Sequence, residues 1–353
     1  MRHTISMPPA TSLCLAIWCV ASFLPAGLAS AADAPSTDAV RAAITKSIPL
    51  LELGAKGSLE HRKQCFTCHN QGLPIQALMV ARSRGFKIDD ENLKTQVQFV
   101  ADFLARNKAN YLAGKGQGGQ IDTAGYALWA LDNGGRSPDE ITAAVAEYLL
   151  QFQNDSEHWQ PQSKRPPSEQ SLFTSSYVAL RGLKTYGTPE QRERIAARQA
   201  RVAKWLLEAI PVETEDHVFR LRALHLVAAP DADLRRASDA LLGAQHEDGG
   251  WSQLPDLPSD AYATGSVLVA LHEAGNLAVD SEAYRKGISY LISIQKPDGS
   301  WHVVSRSIPF QTYFESGYPH GKDQFISISA AGWATTALAL SLPATPSPEM
   351  PLD

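Results

Sequence analysis

Gln245-His-Glu-Asp-Gly-Gly-Trp251 and Gln295-Lys-Pro-Asp-Gly-Ser-Trp301 are two versions of one phrase, set fifty residues apart. Gln153 and Trp159 repeat the same Gln-to-Trp spacing further upstream. Self-similarity at such a period is the mark of a repeat architecture, in which one supersecondary unit recurs and buries its apolar face against its neighbours.

Working outward, each phrase joins two kinds of helix. The segment 191–210 (QRERIAARQARVAKWLLEAI) puts Ile195, Val202, Leu206 and Ile210 on one stripe with Arg and Glu opposite. Comparable amphipathic runs lie near 38–54, 90–106, 138–153, 231–245 and 281–295. Each is followed by a helix poor in charge and rich in Ala and Gly, near 74–84, 121–133, 171–186, 216–229, 260–274 and 325–341. Small residues let the second set approach one another closely, while the first set shows its charges to water. Two concentric helical layers follow. No stretch sustains the period-two alternation of a sheet. The fold class is therefore all-α: a single α/α toroid of about six helical hairpins, spanning residues 32–342.

The Gln-x5-Trp phrases with Asp-Gly-Gly resemble the QW repeats of squalene–hopene cyclases, and a six-hairpin ring resembles the protein prenyltransferase β subunit. The resemblance covers about residues 90–341. It implies that the Gln caps an outer helix and the Trp stacks on the next inner helix, so Trp159, Trp251 and Trp301 carry no chemistry. Class II cyclases protonate an alkene with the central Asp of a D-x-D-D-T-A motif. The corresponding stretch is Pro258-Ser-Asp-Ala-Tyr-Ala263, which keeps only the central position, Asp260. An isolated Asp before an Ala-rich helix reads more simply as an N-cap. The zinc site of protein prenyltransferases needs a cysteine, and the chain has none beyond Cys68.

The chain carries 32 Lys and Arg against 37 Asp and Glu, a balance that gives no basic footprint for nucleic acid. Arg2, the apolar run Leu13–Leu28 and Ala29-Ser-Ala31 read as a secretory leader cleaved near residue 31. Pro25 breaks the run, and no other stretch is long enough to span a bilayer, so no transmembrane anchor is expected. Residues 343–353 form a Pro-rich tail. Removing the leader takes Cys14 and Cys19 with it and leaves Cys65 and Cys68 alone.

Those two stand in Cys65-Phe-Thr-Cys68-His69, within a segment near 61–73 between the first charged helix and the first small-residue helix. C-x-x-C-H is the pattern of covalent haem c attachment: two thiols for the two vinyl groups, and His69 as the axial iron ligand. Covalent haem is assembled outside the cytoplasmic membrane, which agrees with a leader and a periplasmic or secreted location. The alternatives are a Cys65–Cys68 disulfide in a binding or scaffold protein, and a zinc site that would need a fourth ligand. Candidate distal ligands are His320, His302, His158 and Met79.

In a toroid all outer-to-inner loops share one rim, so the haem segment shares it with the long loops 154–170 and 302–324. The second loop brings Arg306, Phe310, Gln311, Tyr313, Phe314, Glu315 and Tyr318. With Asp260 and Tyr262 they form a candidate pocket. The expected role is redox or electron transfer, with a redox partner protein or an apolar small molecule in the central cavity. The competing class is a non-redox toroid enzyme, either a terpene cyclase or a carbohydrate lyase or hydrolase. The latter would use paired carboxylates, for which Glu315 with Asp323 or Asp260 are the candidates, with His320 a further catalytic candidate.

Overall fold

The structure, a computed structural model, describes residues 1, 3–4, 35–62, 65–308 and 312–345. The chain divides into two units, Met1–Asp33 and Ala34–Asp353, and everything below concerns the second. The leader segment, Phe310, Gln311 and the end of the tail lie outside the described residues.

Thirteen α-helices and no strand occur among the described residues. Six hairpins account for twelve of them: α1 (Thr37–His61) with α2 (Leu73–Arg82), α3 (Asp90–Arg106) with α5 (Gln120–Asn133), and α6 (Glu140–Gln151) with α7 (Leu172–Tyr186). The remaining pairs are α8 (Arg192–Glu208) with α9 (Thr214–Leu226), α10 (Asp231–Leu242) with α11 (Ala261–Glu273), and α12 (Glu282–Ile294) with α13 (Gln324–Leu340). A short α4 (Lys108–Leu112) interrupts the second hairpin. The second members pack in sequence, α2 on α5, α5 on α7, α7 on α9, α9 on α11 and α11 on α13, and α13 returns to α2. That closed circuit is the inner ring of an α/α toroid.

Burial follows the two sequence patterns. In α11 every residue from Ala261 to Leu271 is buried, and in α13 nearly every residue is. The charged α8 buries only Arg198, Val202 and Leu206. A helix apolar all round is an inner helix, and one with a single stripe is an outer helix.

The repeated phrase works differently from what the resemblance implies. Each indole caps the outer helix: Trp159, Trp251 and Trp301 donate Nε1–H to the carbonyls of Leu149, Leu241 and Leu291 at 3.1, 2.7 and 2.8 Å. The Gln instead ties its helix to the next outer helix: Gln245 donates to the Ala283 carbonyl and Gln295 to that of Ala43, both at 2.9 Å. The Gln295 bond closes the ring between the last and first hairpins. Gly249, at φ +86°, needs glycine, since a Cβ there would lie 2.7 Å from the Lys286 carbonyl oxygen. In the first phrase Arg198 from α8 supplies the tie, donating to the carbonyls of Asn154, Ser156 and His158 beneath the Trp159 ring.

Deep in the ring the axis is filled. Trp129 of α5 has its ring centroid 5.7 Å from Tyr177 of α7, 6.3 Å from Phe219 of α9 and 5.9 Å from Trp333 of α13. The Arg222 guanidinium lies 5.0 to 5.9 Å from all four rings. Arg222 also donates to Tyr177 OH at 3.1 Å and pairs with Glu273 at 3.1 Å. No helix among the described residues is long and apolar enough to cross a membrane.

Candidate functional site

Between α1 and α2 the chain makes a widened π turn, Cys68–Gly72. Gln71 stabilises it by accepting from the Thr67 backbone N–H at 2.8 Å and the Thr67 hydroxyl at 2.6 Å. Asn70 anchors it to α1 through the Gly54 carbonyl at 3.0 Å. Turns of this kind re-aim a side chain and recur at functional sites. Here the turn carries Cys68 and His69.

Cys65 and Cys68 are free thiols. The Cys68 thiol donates to Glu169 at 3.4 Å and lies 3.7 Å from His69 Nδ1. Burial pushes it up to about 11, so it is held as the neutral thiol. His69 Nε2 is buried with no hydrogen-bond partner. Burial, with the Arg165 and Arg62 guanidiniums beside it, lowers His69 to about 3, so the ring is neutral. Its ring and that of Phe325 meet in a T-shaped contact with centroids 5.0 Å apart.

Two cavities meet at this histidine. The first, about 390 Å³, is lined by Arg62, Cys65, Cys68, Phe103 and Asp122 as well as His69. The second, about 420 Å³, lies between Pro166–Glu169 on one side and Ser305–Ile308, Tyr313 and Phe325 on the other. His69, Arg165 and Glu169 line both. Arg165 pairs with Glu169, which also accepts from Ser163 at 2.8 Å. The loops 154–170 and 302–324 therefore do share a rim with the C-x-x-C-H turn, and Tyr313 and His69 line one chamber.

The distal candidates stand apart from these chambers. His302 pairs with Asp323 at 3.0 Å and stacks on His320 at 4.6 Å, and His320 meets the Ser300 hydroxyl at 2.8 Å. His158 stacks on Trp205 at 4.4 Å, and Met79 packs against the core from α2. None of the four lines either cavity. Among the described residues no group of three or more His, Cys, Asp or Glu is placed to hold a bare metal ion.

Asp260 has both oxygens engaged. One caps α11 through the Ala263 N–H at 2.9 Å, and the other accepts from Gln253 at 2.8 Å. Gln253 accepts in turn from Arg306, which pairs with Glu213 at 2.6 Å. Arg306 thus straps the 302–324 loop across two other hairpins. Glu315 is exposed and accepts from Tyr313 OH at 2.6 Å, and Asp323 is taken by His302, so these carboxylates do not form a pair. Tyr318 and Tyr262 are buried at 1% and 2%.

Two acids stand out that the sequence reading did not single out. Asp122, in the first turn of α5, accepts from Ser175 at 2.5 Å, and burial raises it to about 6. Glu215, in the first turn of α9, accepts from Thr174 at 2.9 Å, and burial raises it to about 8. Both begin inner helices, as Asp260 does. An acid at that position is the signal that would have found them.

No protein-family model matches the chain. The squalene–hopene cyclase of Bradyrhizobium diazoefficiens is 31% identical over 118 residues, which cover 28% of this chain and 16% of that protein. The type II terpene cyclase MstE from Scytonema superposes with a TM-score of 0.53 at 14% identity, over 87% of this chain and 98% of that one. A possible member of the GH105 family from Salmonella enterica superposes at 0.50 with 15% identity, over 86% and 94%. At those identities the structural likeness is one of fold: the chain is a terpene-cyclase-like α/α toroid. The matched stretch spans less than one fifth of the cyclase from Bradyrhizobium.

Proposed function

We propose that this chain is an exported c-type haem protein on a squalene-cyclase-like toroid, with a redox role at the rim of the ring. The observation that carries this is His69 Nε2: buried, neutral and without a partner, on a widened turn flanked by two free thiols and facing two cavities. A buried imidazole nitrogen left unpaired costs about 1–3 kcal/mol unless a ligand takes it. A haem iron would satisfy that nitrogen.

The residues fit the group in kind. Cys65 and Cys68 would form the thioethers, each sulfur adding across a vinyl group as its hydrogen passes to the vinyl carbon. His69 would hold the iron, and Arg62 and Arg165 give positive charge for the propionates. Phe66, Phe103 and Phe325 pack around the turn and would keep water from a haem held there, which would raise its potential. Once bound, the haem supplies one-electron chemistry; the protein binds it, orients it and sets its potential.

Made with a haem-maturation system, the protein should stay positive for covalent haem on a denaturing gel. Cys65→Ala with Cys68→Ala should abolish the stain, and His69→Ala should alter the spin state while leaving attachment in place. A colourless wild type from working machinery ends this reading.

A second reading rests on Asp122 and Glu215. Glu215, raised to about 8, holds its proton at neutral pH and is suited to general-acid chemistry in a non-redox enzyme of the toroid class, while Asp122, raised to about 6, is mostly ionised there and is suited to act as a base. MstE has been determined with geranylgeranyl dihydroxybenzoate as substrate. The missing partner acids around Asp260 mean that any such acid here would be a different residue. A haem-free wild type that consumes a polyprenyl substrate, and loses this on Glu215→Gln, would favour it.

A further inference from the structure

The two chambers that meet at His69 differ in chemistry. Both cysteines line the first chamber and neither lines the second. The second is walled by apolar groups, Pro166, Pro167, Ile308, Phe325 and Ile326 among them. At its mouth Ile308 and Tyr313 are exposed at 82% and 50%. Large apolar side chains left in water around an opening mark a place where something apolar docks.

Its polar groups are mostly spoken for. Ser307 donates to the Pro166 carbonyl at 3.0 Å, Ser329 to the Phe325 carbonyl at 3.0 Å, and Arg165 is paired with Glu169. His69 Nε2 has no partner, but its ring is neutral; of the two cationic side chains lining the chamber, Arg165 is paired and Lys322 makes no ion pair among the described residues. The carboxylate beside it, Asp323, is engaged by His302 and by the Ser305 backbone N–H. The first turn of the 17-residue α13, with Phe325 and Ile326, forms part of the same wall.

We propose that the chamber lined by Pro166–Glu169 on one side and by Ser305, Ser307, Ile308 and Tyr313 on the other is a binding site for an amphiphilic carboxylate, its aliphatic body against Pro166, Pro167, Ile308 and Phe325 and its head at Lys322. A volume of about 420 Å³ holds an aliphatic chain of roughly ten carbons with room to spare. This site goes beyond the haem reading but rests on it for one point: a haem held by Cys65, Cys68 and His69 would occupy the chamber that the cysteines line and leave this one to the ligand.

The test uses decanoate, with decan-1-ol and decyltrimethylammonium as controls, titrated into the full-length holoprotein by calorimetry. The site predicts decanoate binding, about tenfold weaker for either control, and about tenfold weaker for decanoate after Lys322→Gln. Ser329→Leu, which fills the chamber floor, should abolish binding. Because that variant alters an inner helix, the exposed Lys322→Gln keeps the test decisive if Ser329→Leu does not fold.

Equal affinity for the acid and the alcohol would overturn the assignment of ligand class. Binding by the Cys65→Ala/Cys68→Ala protein but not by the holoprotein would show that the haem fills this chamber, overturning the site while leaving the haem reading intact. A colourless wild type that binds decanoate with the predicted selectivity would uphold the site and remove the haem.

Discussion

Glu215 is the residue whose environment makes the sharpest demand. It is 3% exposed, one oxygen accepts from Thr174, and burial raises it from the ordinary 4.5 to about 8. Below pH 4.5 the folded and unfolded chains both carry the proton, and the contribution to stability is whole. Between 4.5 and 8 only the folded chain keeps it, so stability falls as pH rises, by on the order of a few kcal/mol across the window. Above 8 the carboxyl ionises in both states and the contribution is gone. Glu215→Gln keeps the hydrogen bond and cannot ionise. Thermal melts of the two proteins should coincide near pH 5 and diverge by several degrees towards pH 8.5, with the variant the more stable. A gap that stays constant with pH would mean that Glu215 is ionised in the folded state. Asp122, raised to about 6, acts with the same sign over a lower window, and a difference between the two proteins cancels it.

At the scale of the element, the repeated phrase is a helix-capping device. The indole of Trp251 is fully buried and its N–H donates to the Leu241 carbonyl at the end of α10, which accepts as well from the Ala244 N–H at 3.2 Å. Trp251→Ala loses both packing and cap and should cost about 3–5 kcal/mol. Trp251→Phe keeps most of the ring volume and loses the donor, for about 1–2 kcal/mol. Chemical denaturation that finds the two variants equal would show that the cap contributes nothing. The elements were legible because their periodicities are local: twelve helices lie within a few residues of the positions that hydrophobic spacing assigns, except that α1 runs on through Pro49 to His61. The C-x-x-C-H turn was legible as a motif, but not as a π turn, since the widening depends on Gln71 folding back on Thr67. The division of labour between Gln and Trp was out of reach, because the Gln bonds run 38 and 252 residues along the chain. Arg198, Arg222, Asp122 and Glu215 were missed for the same reason: their burial is produced by ring closure and has no local pattern.

Over the whole molecule, closure is what separates this architecture from an open stack of hairpins, in which terminal repeats need polar caps. Here the last hairpin packs on the first: α13 lies against α1 and α2, Ser47 and Thr335 share a hydrogen bond of 2.8 Å, and Gln295 reaches Ala43. The axis is held by rings from four inner helices around one buried guanidinium, so the deep centre of the ring is core and its open space is at the rim. Both ends of the folded ring emerge on the opposite face. Thr345 hydrogen-bonds the Ser83 carbonyl and lies against Gly85, while Arg41, one turn into α1, sits 4.5 Å over Phe86. The two ends therefore meet at residues 83–86, and a short Gly-Ser linker can join Thr345 to Ser36. A chain so joined and reopened at Asn276, in the loop between α11 and α12, keeps every hairpin and every closing contact. It should retain full helicity by circular dichroism and melt within a few degrees of the parent, because surface loops tolerate new termini. Deleting Thr37–His61 instead strips the cover from α13, whose buried face runs almost its whole length, and should leave no cooperative transition. If that deletion melts cooperatively near the parent temperature, the ring folds as an open stack and closure is not what stabilises it.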